Sequence, residues 1–204
     1  MADREGAAAV TMRRLGAELG VDPTAVYRHF RNKQALLDAM ADHLFARVRA
    51  EFTDGPDWRE NLRESLLLGF RLYRTHPGLA ISLARSHDDL NSLTELSELM
   101  IRDLRAAGLS DRDAAWTFHS LVDVVVGTGL FCAVAPDSND SAARAQMRRT
   151  IAALPPETHA NVVAVATDLY PDDDDIFRHT VELMLEAIEL RASRVPANHK
   201  ENTS

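Results

Sequence analysis

Apolar residues recur every three or four positions along most of the chain, and residues that start or stop helices punctuate the repeats. Met12, Leu15 and Leu19 form a first short stripe behind Thr11, whose hydroxyl suits a helix N-cap. Gly20 supplies the left-handed residue that ends this helix. Asp22 caps a second helix, and Pro23 takes its first position, where a missing N–H costs nothing. Val26 and Phe30 face inward at i, i+4, which leaves Thr24, Ala25, Tyr27 and Arg28 outside. Two short helices joined by a tight turn predict a helix-turn-helix over 11–33. The outer face of its second helix offers a hydroxyl, a methyl, a phenol and a guanidinium to a DNA major groove.

Arg31, Asn32 and Lys33 make a corner, and a longer helix follows over roughly 33–50 with Leu36, Leu37, Met40, Leu44 and Val48 on one face. Thr53 to Pro56 is a breaker, and Asp57 caps a helix from Trp58 that carries Leu62, Leu66, Phe70 and Tyr73. His76, Pro77 and Gly78 interrupt it, and a short helix through Leu79, Ile81 and Leu83 follows. The next helix spans about 90–107 and stops at Gly108. Ser110 and Asp113 form a capping pair for a long apolar helix that ends near Pro136. Shorter helices are expected around 142–153 and 157–169, then a last helix over 174–192 and a disordered tail. No useful stretch alternates with period two, so the fold class is all-α. Residues 1–50 form a small DNA-binding head and residues 51–204 a larger helical body, to which the family resemblance given below assigns ligand binding and dimerisation.

Charge sharpens that division. The net charge of −8 argues against nucleic acid until it is split between head and body. Residues 1–50 hold eight basic and six acidic side chains, whereas 51–204 hold 15 and 25. A mildly basic head on an acidic body turns one end toward phosphate. The balance of 46% hydrophobic and 26% charged residues is ordinary for a soluble globular protein. No unbroken apolar run reaches the roughly 18 residues of a bilayer-spanning helix, and MADREG has no signal-peptide core. A cytoplasmic location without a membrane partner is expected. Cys132 is the single cysteine and is read as a buried structural thiol.

The stretch VTMRRLGAELGVDPTAVYRHFRNKQALLDAMADHLF resembles the tetracycline-repressor (TetR) family of bacterial regulators, including that family's signature as VYRHFRNK. The body is similar more loosely: DWRENLRESLLLGFRLYRTHPGLA matches a first body helix, SDRDAAWTFHSLVDVVVGTG a dimerisation helix, and IFRHTVELMLEAIEL the last helix. The resemblance implies a ligand-responsive regulator, a repressor in most readings, that binds a palindromic operator as a homodimer. The dimer would form through a four-helix bundle of 111–134 and 174–192 from each subunit. Its two heads would lie about 34–36 Å apart in successive major grooves. A small, largely apolar ligand would enter the body and move the helix at 33–50. Only Met1 to Arg4 precede the EGAAAVT segment, where family members carry a full helix. Either the true start lies upstream, the preferred reading, or the helix is absent and DNA binding is poor. Its loss would expose the backs of Leu15, Val26 and Leu36, at about 1.5–3 kcal/mol for each large side chain left wet. The alternative function is a dimerising ligand-binding protein with a defective head.

By the same resemblance Arg13 reaches a guanine edge and Arg28 reads a base, while Tyr27, His29 and Lys33 meet phosphate. His29 also suits a helix C-terminal cap, and Thr11, an N-cap that any helix wants, also faces phosphate at this place. Lys33 opens a helix whose free N–H groups can share its phosphate. In the body, Phe70, Trp116, Phe118, His119, Asp123 and Phe131 are either core or ligand contacts. His119 and Asp123, at i, i+4, would bond each other or orient a ligand. Gly127 and Gly129 each give up about 1 kcal/mol of helix propensity, which close approach of a partner helix would explain; Leu183 and Ile188 are assigned to the same dimer interface. The run Asp172 to Asp175 is not read as a metal site, because acidic residues before a helix stabilise its positive end; His87, Asp88 and Asp89 lie near where members close to the tetracycline repressor place a His in magnesium-bound drug recognition, but the surrounding motif does not match residue by residue and no metal binding is carried over. No cofactor and no enzymatic activity are expected, since the chain has no nucleophile elbow, phosphate loop or metal-spaced His/Cys set.

Overall fold

The computed structural model describes residues 1–78, 91–134 and 140–194, and among these it contains helices and turns but no strand. The elements are α1 (Ala2–Glu5), a 3-10 turn (Ala7–Ala9), α2 (Met12–Leu19), α3 (Pro23–His29), α4 (Lys33–Glu51) and α5 (Trp58–Thr75). They continue with α6 (Asn91–Ala106), α7 (Asp111–Val134), α8 (Ser141–Ala152), α9 (Pro156–Ala164) and α10 (Asp173–Ser193). The expected short helix at Leu79 to Leu83, the His87 cluster and the tail from residue 195 lie outside the described residues.

Local capping sets most helix starts. Asp57 accepts from the Arg59 N–H at 2.9 Å, Asn32 from Ala35 at 2.8 Å, and Asp172 from Asp175 at 2.8 Å. Ser110 and Asp113 bond reciprocally, as a capping pair should. Gly108, at φ +103°, takes the conformation that ends α6. The helix expected over 157–169 is shorter. It is interrupted at His159 and stops at Ala164, and Tyr170 beyond it adopts a left-handed φ of 57°.

α5 is the central rod, packed on α6, α7 and α10. Leu62, Leu66, Leu104, Leu121, Phe177, Val181 and Leu185 are fully buried around it, each contributing roughly 1.5–3 kcal/mol. Phe70 stacks on Phe177 with ring centroids 4.1 Å apart. Outside this apolar seam, Arg59 and Arg63 of α5 grip Glu182 of α10 at 3.2 and 2.5 Å, Arg59 reaches Glu189 at 2.6 Å, and Arg74 reaches Asp174 at 2.9 Å. The α4–α5 loop is pinned to α6 by Arg102, which bonds Asp54 at 2.7 Å and Asp103 at 2.9 Å. Buried Asn61 holds the Gly55 backbone at 3.0 Å.

Head and body share one continuous buried cluster that runs from Ala2 to Ile188. Residues 1–10 close the back of the helix-turn-helix, with Ala2 and Val10 buried against Met12, Val26, Leu36 and Leu37. Val26 and Leu36 are therefore buried and Leu15 half-buried, contrary to the expected exposure. Leu19 is the apolar stripe residue left open. It ends α2 at 63% exposure, beside Val21 at 43%.

α7 also departs from expectation. By length and composition it is apolar enough to cross a bilayer. Its Ala, Gly and Thr residues break the apolar run without making the helix polar. One side, Ala114, Leu121, Val125, Gly129 and Cys132, enters the core; Trp116, Phe131 and Val134 stand out from the other.

Candidate functional site

The helix-turn-helix is held together by its own short contacts. Thr11 accepts from the Arg14 N–H at 3.2 Å, and Gly20 closes α2 at φ +67°. Asp22 accepts from the Thr24 N–H at 2.8 Å and from the Thr24 hydroxyl, which holds its carboxyl below the usual range. The turn is tight because Gly16 has no side chain: a Cβ there would lie 2.9 Å from the Val21 carbonyl and 3.2 Å from the Pro23 nitrogen.

The outer face is where the predicted contact residues gather. Thr11, Arg13, Thr24, Tyr27, Arg28 and His29 are exposed, and Ala25 is half-buried. Among the described residues the side chains of Arg13, Tyr27, Arg28, His29 and Arg31 make no hydrogen bond or ion pair. Arg14, by contrast, is committed inward to the Glu5 carboxylate at 2.9 Å and the Ala9 carbonyl at 3.3 Å. Lys33 is also partly committed, its ammonium donating to the Ala8 carbonyl at 2.9 Å. Arg31, treated as a corner residue in the sequence, is a free cation on the same head.

A partly open apolar cavity of about 80 Å³ lies between α4, α5, α6 and α7. α4 contributes Phe45 and Val48, α5 contributes Ser65, Gly69 and Tyr73, α6 contributes Leu93, Leu96, Ser97 and Met100, and α7 contributes Phe118, Val122, Val125 and Val126. Burial alone pushes the Tyr73 phenol up to about 12. Of the aromatic and polar residues picked out from the sequence, only Phe118 lines this space. Phe70 is a core residue on Phe177. Trp116, His119 and Asp123 are on the outward side of α7, because α5 and α6 pack on its opposite face. Trp116 is 66% exposed, with the Arg112 guanidinium 4.8 Å above its ring. No hydrogen bond joins His119 to Asp123 among the described residues; His119 meets Phe118 edge-on at 5.4 Å.

The residues assigned to a dimer interface also divide. Gly127 faces open space, whereas a Cβ on Gly129 would lie 2.7 Å from the Tyr73 Cβ. Close approach of α5 in the same chain accounts for Gly129, with no partner needed. Ile188 is buried in the chain's own core at 4% exposure, and Leu183 is open at 52%. Trp116, Phe131 and Val134 of α7 and Ile176, Leu183 and Leu190 of α10 are likewise exposed apolar residues within the chain. The acidic run at 172–175 is used for capping and for pairing with Arg74 and Arg178, and no three potential metal ligands cluster among the described residues.

A sequence profile described as bacterial regulatory proteins of the tetR family matches residues 1–40. Over those residues the chain is similar to the TetR family. Among its relatives, the class G tetracycline repressor of Vibrio anguillarum is 33% identical over 129 residues, covering 61% of this chain and 60% of that protein. An HTH-type transcriptional regulator of Saccharopolyspora erythraea is 29% identical over 127 residues, covering 62% of this chain and 53% of the relative. These alignments span little more than half the length of the relatives. TetR-family architecture is matched more fully by solved structures. ActR of Streptomyces coelicolor superposes with a TM-score of 0.76 at 25% identity, covering 94% of this chain and 90% of ActR. BioQ, solved with its double-stranded DNA operator, gives 0.61 at 27% identity over 92% of this chain and 90% of BioQ. Like those structures, the described residues of this chain are all-α, with a helix-turn-helix ahead of a larger set of helices.

Proposed function

We propose that this chain is a cytoplasmic, ligand-responsive transcriptional regulator, a repressor that binds a palindromic operator as a homodimer and leaves it when a small, largely apolar molecule enters the body. The observation that carries this reading is the row of side chains on the head, Arg13, Tyr27, Arg28, His29 and Arg31, that have no partner among the described residues of an otherwise acidic protein. A single exposed charge is ordinarily just solvated, but donors gathered on one helix-turn-helix face are suited to phosphate and base edges. Arg13 and Arg28 are assigned base edges, Tyr27, His29 and Lys33 phosphates, with Thr11, Thr24 and Ala25 completing the surface. Residues 1–50 act as the head and 51–204 as the body. BioQ bound to its operator and ActR in complex with actinorhodin support both halves of the reading.

The cavity supports the switch. At about 80 Å³ it is far below the roughly 300–1,000 Å³ of ordinary ligand pockets, so a ligand must push its walls apart. A ligand that fits only the expanded state shifts the population toward it. The exposed apolar residues of α7 and α10 are the surface for a second copy, which removes any need for a membrane to cover α7. The chemistry is binding, with no turnover. A second reading, a dimerising protein with a defective head, is favoured by the open Leu19 and Val21 and by the Lys33 ammonium held on Ala8.

Selection of bound duplexes from a random pool separates the two readings. The regulator recovers a palindromic sequence, and Arg13→Ala then loses preference at one position of each half-site, at about 1–3 kcal/mol per base contact. Failure to enrich any sequence supports the defective head. Equal losses on selected and random DNA would remove Arg13 from base readout.

A further inference from the structure

α6 is described from Asn91, and the backbone N–H groups of a first turn have no acceptor within their own helix. The acceptor comes from another helix: the Asp42 carboxylate of α4 takes a hydrogen bond from the Ser92 N–H at 3.0 Å. Asp42 sits one turn before Phe45 and two before Val48, which wall the apolar cavity from the α4 side. Ser92 immediately precedes Leu93, which with Leu96, Ser97 and Met100 walls it from the α6 side. The two helices that must separate when the cavity fills are therefore joined at one end by a charged, half-buried contact. At its own N-terminus α4 carries the head, starting at Lys33 and packing Leu36 and Leu37 against Val26.

We propose that Asp42 is the positioning residue that converts movement of α6 into movement of the head, by holding the first turn of α6 to α4 through the Ser92 amide. This rests on the regulator reading above and names the link within it. With the contact in place, α6 displaced from the cavity carries α4 with it; without it, α6 slides along α4 and leaves the head unmoved. Asn at position 42 keeps a carbonyl acceptor for the amide and transmits; Ala does not.

The test is a double-mutant cycle on the full chain. The DNA probe is the duplex that the wild type selects from a random pool. Cavity occupancy is imitated by Ser97→Leu, which adds bulk to the α6 wall; Ser65→Val does the same from α5 should Ser97→Leu unfold, as read by circular dichroism. In the wild-type background the filler weakens binding to the selected duplex. In Asp42→Ala that weakening shrinks by about fivefold or more, the lower end of ordinary allosteric coupling, and Asp42→Asn restores it. Hydrogen exchange at the Ser92 amide accelerates in Asp42→Ala with the rest of α6 unchanged. An equal loss in wild type and Asp42→Ala overturns the proposal alone. A filler without effect in the wild type overturns the role of the cavity and the proposal with it. A chain that selects no duplex overturns the DNA-binding reading itself.

Discussion

Arg13 and Arg14 are neighbours with the same side chain and opposite employment. Helical geometry turns them about 100° apart, so Arg14 meets Glu5 and Ala9 of the segment packed behind α2, while Arg13 meets none of the described residues. The charge count of the head does not distinguish them; only the position of Glu5 does. Lys33 stands between these cases, because one of its three N–H donors is on Ala8 and two remain for phosphate. Lys33→Met is expected to weaken binding to all DNA sequences alike and to lower the salt slope by about one. A lowered thermal midpoint with an unchanged slope would instead confine Lys33 to holding Ala8. Cys132 fits its sequence reading: it is buried, and burial foremost, with Asp173 beside it, pushes the thiol up to about 11.

Among the helices, α5 and α10 are joined by an apolar seam and by a set of ion pairs whose effect depends on pH. Hydrogen bonding from Arg63 first, against the opposing cost of desolvation and with help from Arg59, holds the Glu182 carboxyl down to about 2, from an ordinary 4.5. A lowered folded-state value means that the stabilisation is complete above about 4.5 and is lost as pH falls toward about 2. The thermal midpoint is therefore expected to drop across that window, and Glu182→Gln should flatten the drop in a melting series. The size is modest, below about 1 kcal/mol for each pair, because Glu182 is 40% exposed.

The starts and stops of these helices were legible in the sequence because caps act locally. Thr11, Asp22, Asp57, Gly20 and Gly108 each do in three dimensions what their neighbours along the chain predict. The facing of the helices was not legible. α7 is apolar nearly all round, so nothing in its own residues says that Leu121 and Val125 turn inward and Trp116 and Phe131 outward. That choice belongs to α5, whose approach needs the bare backbone of Gly129 but leaves Gly127 untouched. The site divides in the same way. The DNA-facing row follows from local spacing, whereas the cavity is assembled from four helices, and Asp42 acts on a residue fifty positions away.

At the scale of the whole molecule, one buried cluster links the head to the body, and the exposed apolar residues of α7 and α10 are left over. Leu183→Glu tests what covers them. The variant is expected to retain its helix content, since Leu183 is 52% exposed within the chain; on the proposed homodimer reading it sediments as a monomer at concentrations where the wild type sediments as a dimer. Ile188→Glu is the contrast: it places a charge in the chain's own core and should unfold the protein. Loss of structure in Leu183→Glu, or an unchanged dimer, would move the interface elsewhere.

The outward face of α7 has a consequence for the life of the protein in the cell. If a second copy covers these residues, as proposed, a freshly made chain shows Trp116, Phe131 and Val134 to its surroundings until it pairs, and exposed apolar patches are what chaperones and proteases engage. Pairing is second order in concentration and clearance of the unpaired chain is first order, so survival falls away steeply when synthesis is slow. On this account the regulator would have a minimum expression level below which almost none of it persists, a threshold set by α7 and independent of both operator and ligand.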